Sequence, residues 1–176
     1  MRGAAVMIAL LLAGCEGRSP DAAAIDSGNP LDVAARDANL IVDPDATAPM
    51  GLYEQQGAAG TDGLCVSGEG DENMRFGVVM HFGPTLICEG QGSAVHDGPH
   101  LSLRFDNADC VVDLAYDGRS LRFPGSVPDG CKALCGERAS MAGGSMTRVG
   151  WSNGDAQRLR SRRDALHQRP QRALCG

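Results

Sequence analysis

The chain has 176 residues, 22 acidic and 16 basic side chains, and a net charge of −6. That length holds one modest domain plus a tether and excludes two domains of ordinary size. With 24 Gly but only one Trp, two Tyr and four Phe, it promises a thin core and many turns, so something besides apolar burial must help hold the fold.

In chain order, Arg2 supplies a positive start and Gly3 to Leu12 an uncharged apolar run. At about ten residues this run is too short to span a hydrocarbon core, which needs roughly 20. The small pair Ala13-Gly14 then sits directly before Cys15. An ordinary secretory cleavage site needs no cysteine after it. Together these residues, ending in Leu12-Ala13-Gly14-Cys15, resemble the signal peptide and lipobox of a bacterial lipoprotein. The resemblance covers only the first 16 residues or so. It implies cleavage after residue 14, a diacylglycerol on the Cys15 thiol and stable retention on membrane lipid, since two or more acyl chains anchor where one does not. The competing reading is an ordinary cleaved signal peptide with an accidental cysteine. Elsewhere no apolar run of 18 residues offers a transmembrane helix. Glu16 stands where this family's inner-membrane retention signal has Asp, which tilts the expectation towards the outer membrane rather than the inner.

Residues 15–50 read as the lipidated cysteine followed by an acidic, disordered tether. Glu16 to Met50 holds four Pro and no Cys, with seven acidic and two basic residues, a net of 2 − 7 = −5. A short helix fits Leu31 to Leu40, where Leu31, Ala34, Ala35 and Ala38 share a face.

The domain is expected to span 51–176. Gly51 to Gly60 suits one or two helical turns. From Leu64 the pattern changes to short strands and turns: Leu64 to Val66, Met74 to Phe82, Thr85 to Val95, Leu101 to Phe105, Cys110 to Tyr116, and Leu121 with Phe123. Leu101, Leu103 and Phe105 alternate with Ser102 and Arg104, the clearest half-buried strand. Gly90 and Gly92 mark a bulge or a close backbone approach. Asp117-Gly118 signals a tight hairpin. The fold class is therefore mainly β: a small antiparallel meander, closed into a barrel or folded as a sandwich. Asp129 can cap a short helix over Cys131 to Glu137, Met146 to Trp151 suits a last strand, and Asp155 can cap a helix over Ala156 to His167.

Of seven cysteines, Cys15 is assigned to lipid, which leaves six: Cys65, Cys88, Cys110, Cys131, Cys135 and Cys175. An even number in an exported domain reads as disulfides, and sequence does not choose among the connectivities. Cys131 and Cys135 lack the further Cys or His that a structural zinc site requires, and their spacing is one residue longer than the thioredoxin-like redox motif. His96 and His100 flank Gly98-Pro99 and so belong to a turn rather than a metal pair. No serine lies in Gly-x-Ser-x-Gly, and Gly90-Gln91-Gly92 lacks the third glycine of a dinucleotide loop. No catalytic residue, metal or cofactor is expected, and the chain reads as a non-enzyme.

Charge is the remaining signal. From Gly51 to Met146 acids outnumber bases 13 to 6, whereas Thr147 to Gly176 holds seven Arg and two Asp. Arg158, Arg160, Arg162 and Arg163 form a candidate anion-binding cluster, against the alternative that the basic tail lies on the acidic body. On the envelope its anions would be lipid headgroups, lipopolysaccharide phosphates or an acidic protein, and not nucleic acid. Two functional expectations follow. One is a non-catalytic binding module for a protein or an envelope polymer, with Gly68 to Asn73 as an acidic loop suited to a basic partner. The other is a structural or assembly component of the envelope.

Overall fold

The computed structural model describes residues 30–37, 47–70 and 73–175. The expected signal peptide, Cys15 and most of the expected tether lie outside the described residues. Within them, α1 (Pro30–Asp37) occupies the stretch where the Leu31 helix was expected.

Eight strands follow: β1 (Gly51–Gly57), β2 (Gly60–Ser67), β3 (Met74–His81), β4 (Ile87–Asp97), β5 (His100–Phe105), β6 (Val111–Tyr116), β7 (Ser120–Arg122) and β8 (Ser145–Gly150). Each pairs antiparallel with the next, and β8 returns to β1, so the meander is a closed barrel. The choice between barrel and sandwich is thereby made. Closure removes the exposed edges that an open sheet of short strands would carry.

Eight strands leave an interior just wide enough for side chains to fill. The alternating positions fill it: Leu64 and Val66, Phe76 and Val78, Leu101 and Leu103, Val112 and Leu114, with Leu121 and Met146, belong to one buried cluster. Phe76 and Phe105 meet edge to face at 4.8 Å. Their rings lie against the small inward residues of β4. A Cβ at Gly90 would stand 2.6 Å from the Phe105 ring, and one at Gly92 would stand 1.9 Å from the Arg104 carbonyl oxygen. These two glycines therefore mark the close approach of β4 to β5 expected from sequence.

Gly51 to Gly60 corrects the sequence reading. It is β1 and its turn, not helix. Glu54, Gln55 and Gln56 are good helix formers, but Leu52 and Tyr53 find partners on both sides, in β2 and β8, and that pairing overrides local preference.

Three segments cover the barrel. Its base is closed by residues 123–144, which contain a 3-10 helix (Asp129–Leu134) where the Cys131 helix was predicted. Leu134 and Met141 sink into the core cluster there. Cys131 bonds Cys110, and Cys135 bonds Cys88. The outer wall of β1 to β4 is covered by a C-terminal strap, residues 152–175, fixed by the Cys65–Cys175 bond. Leu52, Cys65, Val79, Ala156, Leu174 and Cys175 form a second, smaller core beneath it. Gly77 faces this strap, and a Cβ there would stand 2.4 Å from the Leu174 Cβ. All six cysteines expected in bonds are bonded, in a nested order spanning 21, 47 and 110 residues. The third cover, at the mouth, is described below.

The single helix expected over Ala156 to His167 is two, α2 (Asn153–Ala156) and α3 (Arg162–Leu166). The reason lies in a repeated Ser-x-x-Asp. Ser152, not Asp155, caps α2, and Asp155 completes a reciprocal capping box. Ser161 caps α3 by accepting from the Asp164 N–H. Its hydroxyl donates to the buried Glu89 carboxylate at 2.7 Å, and the same carboxylate accepts the Arg163 N–H at 2.8 Å. Between the helices, Leu159 and Ser161 pair with Leu174 and Arg172, so the strap doubles back on itself.

Candidate functional site

Of the predicted arginine cluster, Arg162 and Arg163 lie in α3, and Arg158 and Arg160 lie between α2 and α3. Arg158 pairs with Asp155 at 3.6 Å beside α2. Arg160 lies in the extended link and bridges to Ala173. Arg163 reaches back to the barrel and donates to the Leu134 carbonyl at 3.1 Å. Arg162 buries its Nε without a hydrogen-bond partner among the described residues. Arg169 and Arg172 both pair with Asp164. The carboxylates that pair with Arg158, Arg169 and Arg172 are the strap's own Asp155 and Asp164, and the Arg163 side chain meets the barrel at main-chain carbonyls. Of the acidic loop, Gly68 is tied to Asn153 by a reciprocal pair of 3.0 Å hydrogen bonds.

The arginine that stands apart is Arg148. It occupies an inward position of β8, between Met146 and Gly150, and is only 7 % exposed. A register shift between Leu52 and Tyr53 leaves Val149 unpaired and sets Arg148 opposite Tyr53. Irregularities of this kind re-aim side chains at barrel rims. The guanidinium donates through Nε to the Tyr53 hydroxyl at 3.0 Å and through Nη2 to the Tyr116 hydroxyl at 2.7 Å. Its Nη2 also donates to the Ala48 carbonyl at 2.7 Å. Three aromatic faces surround it, with ring centroids 5.1 Å away at Tyr53, 5.7 Å at Tyr116 and 4.3 Å at Trp151. Cation–π attraction of this kind strengthens as the site is desolvated.

The mouth is closed over this cluster by residues 47–50, which the sequence reading placed in the tether. The Tyr53 hydroxyl donates to the Pro49 carbonyl at 2.7 Å, and that of Tyr116 to the Thr47 carbonyl at 2.9 Å. His96 stacks edge to face on Tyr116 at 5.4 Å. Burial pushes both phenols above their ordinary pKa, Tyr53 further than Tyr116, while the Arg148 guanidinium pulls the other way. Both are therefore neutral donors at physiological pH.

Among the described residues no carboxylate lies within ion-pair distance of Arg148. A buried charge is ordinarily paired. Here its partners are neutral oxygens, two phenolic and one main-chain. Chemically the mouth is a converging set of donors that holds oxygen acceptors. Sequence reasoning passed over it because Arg148 was counted with the tail. Its signal was positional: an arginine at an inward place in an alternating strand.

Among the described residues no group of three or more His, Cys, Asp or Glu gathers as a metal site. No family model, curated protein or solved structure matches this chain.

Proposed function

We propose that the chain is a lipid-anchored lipoprotein of the bacterial envelope, held on the outer membrane through Cys15, whose barrel is a non-catalytic binding module for a protein or an envelope polymer. The observation that carries this reading is the set of three nested disulfides, two fastening the base and one the strap. Such bonds persist in oxidising compartments. The lipobox-like Leu12-Ala13-Gly14-Cys15 supplies the matching export and anchoring signal. A rigid barrel at the end of an acidic tether suits capture of a partner near the membrane.

Crosslinking of the lipidated protein in intact cells, followed by mass spectrometry, tests the module. One dominant soluble or polymeric partner is the expected result. A spread of membrane-assembly proteins overturns it in favour of an assembly role. Cys15→Ala tests the anchor separately: the variant should lose acylation and membrane retention, and retention with normal acylation refutes the anchor.

A further inference from the structure

We infer that the barrel mouth is a carboxylate-binding site, built from Arg148, Tyr53, Tyr116 and Trp151, which the protein's own residues 47–49 occupy in this state. The inference deepens the binding-module reading, on which it rests, by naming the site and the chemistry of what it takes.

The cluster is assembled for an anion and lacks one. Arg148 is 7 % exposed, yet among the described residues its acceptors are neutral oxygens. The covering segment supplies three carbonyl oxygens to one small volume, from Thr47, Ala48 and Pro49. A carboxylate would present two oxygens to the same donors. It would also bring the charge that the carbonyls lack. An ionised acceptor makes the stronger bond to a guanidinium, and a planar fork fits a carboxylate better than it fits single carbonyls. With the segment lifted, the Tyr53 hydroxyl loses its Pro49 acceptor, and the Tyr116 hydroxyl loses Thr47 and Ala48 and keeps only the longer 3.3 Å contact to the Gly118 carbonyl, so both can donate to a ligand in the vacated space. The site then offers one positive charge and two neutral donors, which matches a monoanionic carboxylate rather than a phosphate.

The cover is built to leave. Among the described residues no disulfide holds it, whereas the base and the strap are each stapled. Ala48 is exposed, and Pro49 is the one residue of the segment that is buried and must be uncovered as it leaves. The segment joins β1 at Gly51, whose φ of +139° is open to glycine and strained for other residues, and which is already paired with Val66, so the part free to leave ends at Met50. Trp151 is 57 % exposed and stacked on the guanidinium, so it forms the rim that an arriving ligand meets first.

Trp151 is also the chain's single tryptophan, which makes its fluorescence a direct reporter of the mouth. The experiment titrates the full-length protein with acetate and with N-acetylglycine at constant ionic strength, using chloride and inorganic phosphate as comparison anions. The expected result is a saturable change with the carboxylates that chloride and phosphate do not reproduce. Pro49→Gly keeps the carbonyl but loosens the cover, and should tighten the carboxylate midpoint about two- to five-fold. Arg148→Lys keeps the charge but loses the fork, and should weaken it about ten-fold. Tyr116→Phe keeps the ring and should weaken it in the same direction, which covers the case in which Arg148→Lys does not fold. Absence of saturation in both wild type and Pro49→Gly overturns the inference, as does an unchanged midpoint in the Arg148 and Tyr116 variants, or saturation with phosphate alone. Saturation by carboxylates without any crosslinked partner in cells would uphold the site and refute the partner. A crosslinked partner without saturation would do the reverse.

Discussion

The two tyrosines offer a test of the mouth that needs no ligand. They are the only tyrosines in the chain, so any phenolate absorbance reports on them. Both are fully buried, and burial raises both pKa values above the ordinary phenol value of about 10. A raised folded-state pKa means that the folded protein holds its proton where the unfolded chain has released it. The associated stability is fully present below about pH 10 and is lost progressively as the pH climbs towards the folded-state values. Well above pH 10 the slope for Tyr53 is about 1.4 kcal/mol per pH unit, and Tyr116 adds to it in the same direction. Integrated to about pH 11.5, Tyr53 alone costs the fold about 2 kcal/mol, a sizeable share of the roughly 5 to 15 kcal/mol of an ordinary domain. Denaturant unfolding from about pH 8 to about pH 11.5, followed by circular dichroism, measures this slope directly. Tyr53→Phe should remove the larger part of it and Tyr116→Phe the remainder. Phenolate absorbance should rise only together with unfolding. If one or both tyrosines ionise near pH 10 while the barrel stays folded, the mouth is open to water and the closed cluster described above is wrong.

Three further outcomes follow. Replacing Cys65 and Cys175 together by Ala, which opens a loop of 110 residues, should cost about 5 kcal/mol by the loop-entropy argument; amide exchange should rise in 152–175 first, and uniform loosening of the barrel instead would show that the strap is not a separate cover. Gly92→Ala should cost about 3 kcal/mol or more, because its Cβ would meet the Arg104 backbone at 1.9 Å, whereas Gly90→Ala meets a Phe105 ring that can turn and should cost about 1 to 3 kcal/mol; thermal melts that reverse this order contradict the β4–β5 packing. Glu89→Ala removes the acceptor of the Ser161 hydroxyl and the Arg163 N–H and should cost about 2 to 4 kcal/mol, read as early exchange of α3 rather than of β4.

The barrel was legible wherever one face of a strand is wet. β5 and β6 alternate because one side meets solvent, and their inward residues could be named from sequence alone. β1 could not be found that way. Its strand character comes from partners far away in the chain, and its own residues favour helix. The cysteines announced that bonds exist but not which, since nested pairing depends on how the base and the strap return to the barrel. The strap was misread for a local reason. Ser152-Asn153-Gly154-Asp155 and Ser161-Arg162-Arg163-Asp164 each carry a capping signal, and two signals nine residues apart divide what charge and periodicity suggested was one helix. The mouth was hidden because its members come from β1, β6, β8 and the end of the tether, and only barrel closure brings them together.

The three covers differ in what holds them, and that difference assigns their roles. The base is held by two disulfides to Cys88 and Cys110, and its apolar residues belong to the main core, so it cannot lift without unfolding the barrel. The strap has its own small core, one disulfide and a buried carboxylate that fastens α3, so it is a brace. Residues 47–50 hold the mouth through hydrogen bonds from three side chains to main-chain carbonyls. Exchanging such bonds for others of similar geometry costs little net free energy, since each contributes only about 1 kcal/mol once water is accounted for. Of the three, this is the cover a competing oxygen ligand can replace. It is also the point where the tether meets the barrel. Under the lipoprotein reading, occupancy of the mouth would then alter how the barrel is attached to its anchor, and displacement of residues 47–50 would lengthen the tether by about four residues, roughly 13 Å of extended chain.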